Sequence, residues 1–144
     1  MKAKPFIIGF FAVVALIAAW SIYVAATVDR AQKTIDAVLS PDGKFKAVRT
    51  TLSAGGAVPF CVDNIAVRLS IYPDDFDEHK NLYEVYNAPC GRVAGRIVPP
   101  TLEWLSATAL QIVVASRRGA DAKSIRMKDA DISNTVHVTV VERE

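Results

Sequence analysis

Between Lys4 and Asp29 the sequence has no charged residue at all. That absence excludes a surface helix of the ordinary kind, which keeps one polar face toward water. Histidine is nearly missing, with two residues, and cysteine also occurs only twice. A zinc site takes three or four His, Cys or carboxylate ligands. With both cysteines paired, only His79 and His137 would remain, so no metal and no cofactor are expected. There is no G-x-S-x-G elbow to expose and activate a hydroxyl, and no phosphate-loop lysine pattern. Nucleophilic catalysis is therefore not expected, no catalytic residue is assigned, and the chain reads as a non-enzyme. Basic surplus is lacking where it would matter. All 15 acidic residues follow Val28, as do 15 of the 17 basic ones, so the part beyond the apolar run is formally neutral. A nucleic-acid-binding domain needs a basic footprint, and none is present.

The uncharged run itself covers residues 5–28, 24 positions, and a helix of about 20 apolar residues crosses a bilayer core. The expectation is a single transmembrane helix. Trp20 and Tyr23 stand near its far end, where interfacial aromatics belong. A cleaved signal peptide competes with this reading, since Val24, Ala25, Ala26 and Thr27 supply a small-residue stretch. Lys2 and Lys4 precede the run, which favours an amino terminus in the cytoplasm and a periplasmic or extracellular remainder. No Cys lies near the end of the run for lipid attachment. Ala15 and Ala19 have the small-xxx-small spacing that lets helices approach. Three regions result: an anchor over 1–28, a polar connector over 29–37 that extends the helix by a turn or two, and an exported domain over 38–144.

That domain reads as mainly β. No stretch after Leu39 keeps a helical period over three turns, whereas several alternate with a period of two. Ile65, Val67, Leu69 and Ile71 alternate with more polar neighbours, and Val136, Val138 and Val140 repeat the pattern around His137. Shorter strands are expected at residues 82–86 and on both sides of a turn at Ser106 to Thr108. Trp104, on the first of that pair, is expected in the core. Pro41 presets its φ, Asp42 favours a turn and Gly43 tolerates positive φ, so "SPDGK" predicts a hairpin. Cys61 and Cys90 in an oxidising compartment predict a disulfide closing a loop of about 30 residues, worth roughly 3–4 kcal/mol. The fold class expected is a transmembrane helix followed by a small antiparallel β-sheet domain, blade-like or sandwich-like.

"SPDGKFKAV" resembles the repeat of TolB-like β-propellers, in which such a turn leads into a strand, and "LEWLSATALQIVV" resembles the Trp-containing hairpin of those repeats. A propeller needs several blades, and the chain has one opening and no internal repeat. The resemblance therefore implies at most one blade-like sheet. The combination of apolar amino terminus, turn, Cys pair and Trp hairpin also resembles small membrane-anchored exported bacterial proteins, a likeness that brings no activity with it.

Two loops are candidates for ligand binding. The acidic one carries Asp74, Asp75, Asp77 and Glu78 beside His79, but Lys80 and Tyr86 stand where a calcium loop wants Gly and Glu. The glycine-bearing one carries Arg92 and Arg96, which with backbone amides would suit an anion. Asp129, Asp131 and Ser133 form a third acidic stretch, with Asn134 where a calcium loop wants Gly. For each, a solvated loop is the competing reading. The function expected is a single-pass, membrane-anchored envelope protein with a non-catalytic binding or accessory domain. It would hold an envelope protein partner, for which an open sheet edge is a natural dock. The alternative is an envelope sensor or ligand-binding module using one of the loops.

Overall fold

The computed structural model describes residues 13–22, 31–55, 59–75, 80–115 and 124–143; the side chains of Lys80 and Asn81 are outside that description. Residues 13–22 form a helix, α1. Among the described residues no helix is long and apolar enough to cross a membrane. This corrects the transmembrane expectation. At 1.5 Å per residue, ten helical residues rise about 15 Å, half of a bilayer core of about 30 Å. The remainder of the anchor region, 1–12 and 23–28, lies outside the described residues.

The β expectation holds. Strands β1 (Gln32–Leu39), β2 (Phe45–Ala54), β3 (Phe60–Leu69), β4 (Glu84–Pro89) and β9 (Arg126–Met127) form a five-stranded antiparallel sheet in the order β1-β2-β3-β4-β9. Strands β7 (Thr101–Ser106), β8 (Ala109–Ala115) and β10 (His137–Arg143) form a second sheet in the order β10-β8-β7. There β10 runs parallel to β8, the one departure from antiparallel pairing between the described strands. A short helix, α2 (Lys80–Tyr83), precedes β4, and β5 (Arg92–Val93) with β6 (Arg96–Ile97) makes a separate two-stranded hairpin.

The core forms where the two sheets face each other. Ala47, Ile65, Val67 and Tyr86 come from the large sheet and Leu110, Ile112, Val114 and Val138 from the small one. Period-two alternation accounts for each set. The two sheets thus share one core in a sandwich-like arrangement. Trp104 is half-buried against this core, and its indole N–H donates to the Val38 carbonyl at 3.0 Å, stitching β7 to β1. Arg49 also joins distant parts: it pairs with Asp36 on β1 and donates to the Pro100 carbonyl ahead of β7.

β1 overlaps the expected connector, 29–37, and includes TIDAVL, the segment expected to flank the turn as a hairpin strand. Its sequence, QKTIDAVL, is an edge strand, not an extension of the helix, paired with β2 along all eight residues. The SPDGK turn makes the hairpin. Gly43 N–H donates to the Ser40 carbonyl at 2.9 Å, and Gly43 takes φ +70°. The Ser40 hydroxyl donates to Asp42 at 2.7 Å and accepts from Phe45 N–H at 3.0 Å. That hydroxyl and the Lys44 N–H hold the Asp42 carboxyl below its ordinary range.

The Cys61–Cys90 disulfide exists, with Cα atoms 5.3 Å apart. Val62 faces Pro89 across β3 and β4, and Cys90 N–H donates to the Cys61 carbonyl at 3.1 Å. The cysteines therefore continue the ladder as a hydrogen-bonded pair, whose usual Cα separation is about 5.5 Å.

The chain enters β10 through a turn organised by Asp131. Its buried carboxylate accepts from Ser133 N–H (3.1 Å) and Oγ (2.5 Å), Thr135 N–H (2.8 Å) and Val136 N–H (2.7 Å). Asn134 supplies the left-handed residue, φ 56°. Burial pushes the Asp131 pKa up, but the four donors outweigh it and hold the carboxyl below its usual value. A carboxyl depressed in the folded state contributes stability that is complete above its unfolded pKa and is lost as pH falls through the folded value. Urea unfolding from pH 6 downward is expected to show wild-type stability falling across the acid range. Asp131→Asn should be less stable at pH 6 and should lose less on acidification. Parallel acid profiles for the two proteins would contradict this.

Candidate functional site

The face of the five-stranded sheet turned away from the core carries a groove of about 250 Å³. Alternation decides what lines it. On β3, Asp63, Ile65 and Val67 are buried on the inner side, whereas Val62, Asn64, Ala66 and Arg68 face the groove. On β2 the groove residues are Val48, Thr50 and Leu52, registered opposite Ala66, Asn64 and Val62. The floor is therefore an apolar strip interrupted by one threonine and one asparagine.

A bulge builds the polar end. Along β4, Tyr86 pairs with Ile65 on the inner side, and Glu84, two residues earlier, should share that side. Instead the register shifts, Glu84 pairs with Ala66, and Val85 becomes the extra residue, itself buried in the core. The shift turns Glu84 into the groove, the re-aiming that a bulge produces. Glu84 is 6 % exposed; its carboxylate lies at the groove floor. It accepts from the Asn64 amide and from Asn87 at 3.3 Å, and lies 3.5 Å from Arg126 on β9.

At the upper end, Lys46 and Arg68 are registered directly opposite each other, two cations on neighbouring strands. Like charges so placed repel. Both residues are buried, which raises the cost. Asp74 resolves the conflict, pairing with Lys46 through its carboxylate while its backbone carbonyl accepts from Arg68 at 2.5 Å. Burial pulls the Arg68 guanidinium below its usual range, opposed by the negative fields of Asp74 and Asp75.

These contacts reassign the acidic loop. Asp74 is an internal counter-ion and Asp75 lines the groove, while Asp77, Glu78 and His79 lie outside the described residues. Among the described residues no group of three or more His, Cys, Asp or Glu is placed to hold a metal ion. In the third acidic stretch, Asp131 is saturated by donors from its own turn. The arginine loop divides its charges. Arg92 is registered opposite Ile97, and Arg96 opposite Val93. Registered partners share a side and successive residues alternate, so the two arginines point to opposite sides of the hairpin. Both are exposed. Arg92 and Ile97 instead border a more open depression of about 320 Å³ beside Cys61 and Phe60. His137 is exposed between buried Val136 and Val138, as its alternation predicts.

The groove was not foreseen. Its apolar residues were legible on β2 and β3, but Glu84 reaches it only through the bulge, for which the sequence carries no marker glycine. No protein-family model, curated protein or solved structure matches the chain.

Replacing Asp74 tests the ion-pair account. Asp74→Ala leaves two buried cations facing each other and should cost about 1–2 kcal/mol in urea unfolding, near the lower end for a severed buried contact because Asp74 is half-exposed. Adding Lys46→Met should recover part of that loss. An unchanged midpoint for Asp74→Ala would contradict the assignment.

Proposed function

We propose that the protein is a non-catalytic binding domain of an oxidising extracytoplasmic compartment, and that the outer face of its five-stranded sheet is the ligand site. The groove carries this reading. It combines a mainly apolar floor, crossed by the Thr50–Asn64 pair, with a few fixed polar groups, the usual make-up of small-ligand sites. At about 250 Å³ it suits a small molecule or one or two side chains of a larger partner. The Cys61–Cys90 bond supports export, because such bonds persist in oxidising compartments. Among the described residues the groove is lined by apolar side chains and polar groups already engaged with one another, which supports recognition.

A second reading, an envelope protein partner adding a strand to the sheet, draws support from β1. It is exposed along nearly its whole length at the sheet edge, and an open edge is a template for pairing.

Photo-cross-linking in intact cells separates the two. A photoreactive residue in place of Leu52 is expected to capture a bound molecule, whereas one in place of Thr101 on the second sheet should not. Capture from Thr34 alone would favour the strand-edge reading. Equal labelling from all three positions would contradict both.

A further inference from the structure

Among the described residues the charges around the groove do not balance, and their imbalance points to a ligand class. Resting on the ligand-site reading above, we propose that the groove takes a small amphipathic anion, an apolar chain or ring bearing one carboxylate, with Lys33 as the carboxylate anchor.

Five charged residues line the groove. Glu84 is matched by Arg126 at 3.5 Å and by two asparagine amides. Asp75 acts on the buried Arg68, whose guanidinium also donates to the Asp74 carbonyl. Lys33 remains. Among the described residues its side chain has no carboxylate partner and no hydrogen bond, and it is exposed on the edge strand. An ammonium with no partner among the described residues, at the rim of a site whose other described charges are matched, attracts an anion and repels a cation.

Register supplies the rest. Lys33 is opposite Leu52, and Leu52 is opposite Val62. The ammonium therefore stands at the end of an apolar row crossing β2 and β3, with Val48 and Ala66 forming a parallel apolar row four positions along each strand, beyond the Thr50–Asn64 pair. A carboxylate at Lys33 would lay its apolar body across these side chains toward the far end. There Glu84 is already held by Asn64, Asn87 and Arg126, so its charge does not oppose the incoming anion. An inorganic anion would leave the apolar rows uncovered. A neutral hydrocarbon would leave Lys33 unused.

Octanoate and octanol distinguish the parts of this proposal, followed by amide-resolved NMR titration of the full chain. Octanoate should shift the amides of Leu52, Val62 and Ala66 and bind more tightly than octanol. Lys33→Gln should weaken octanoate about threefold, the effect of losing one exposed ion pair, and leave octanol unchanged. Lys33→Glu should weaken octanoate further. Since Lys33 is exposed, both variants are expected to fold, and unshifted resonances of Ile65 and Ile112 would verify it. Octanol binding as well as octanoate, with no effect of Lys33→Gln, would overturn the anion assignment while the groove stood as a ligand site. Failure of both probes to shift groove amides would overturn the anion assignment together with the site.

Discussion

The alternation of β3 is the constraint on which the molecule depends. As an interior strand of the large sheet it has β2 on one side and β4 on the other, and its side chains must divide strictly between the two faces. One face gives Ile65 and Val67 to the core, along with the buried Asp63, which accepts from Thr51 at 2.6 Å. The other gives Val62, Asn64, Ala66 and Arg68 to the groove. A slip of one residue would exchange these sets, placing Arg68 in the core and Ile65 in water. The cross-strand disulfide at one end of β3, and at the other the bonds from Ser70 N–H to the Lys44 carbonyl and from Ser70 Oγ to the Gly43 carbonyl of the SPDGK turn, both pin that register.

Electrostatics then follow from packing. Lys46 and Arg68 are brought together by the register, at a depth where neither could be left without a counter-charge. Asp74 is drawn from the next loop to meet them, which fixes the start of the segment beside the groove. Glu84 is a parallel case. The bulge at Val85 brings it to the groove floor, and two amides and a guanidinium make its burial tolerable. With the floor mainly apolar and the carboxylate satisfied, Lys33 is the residue we propose to distinguish one ligand charge from the other.

Much of the fold was legible because it rests on local rules. The SPDGK turn, the strand pair around residues 106–108, the alternation around His137 and the Cys pair all have short-range signatures. Three features did not. The start of the edge strand β1 reads as connector because it is polar and nearly all exposed, and only its TIDAVL end, next to the turn, carries a strand signal. The apolar run suggested a spanning helix by length alone, whereas the described helix covers residues 13–22. The last half of the Ile65–Ile71 pattern also failed, since β3 ends at Leu69 and Ile71 is 81 % exposed. The candidate loops were chosen by composition, which cannot show that Asp74 has an internal partner or that Arg92 and Arg96 diverge. The groove, assembled across five strands, had no local signature to read.

The most direct test of the central claim, that the outer face of the large sheet is a ligand site, is a crystal structure of the full chain grown with octanoate. The account predicts difference density lying over Leu52, Val62 and Val48, with its carboxylate directed to Lys33. Density confined to the depression beside Phe60 and Ile97, with the groove occupied only by water, would contradict it.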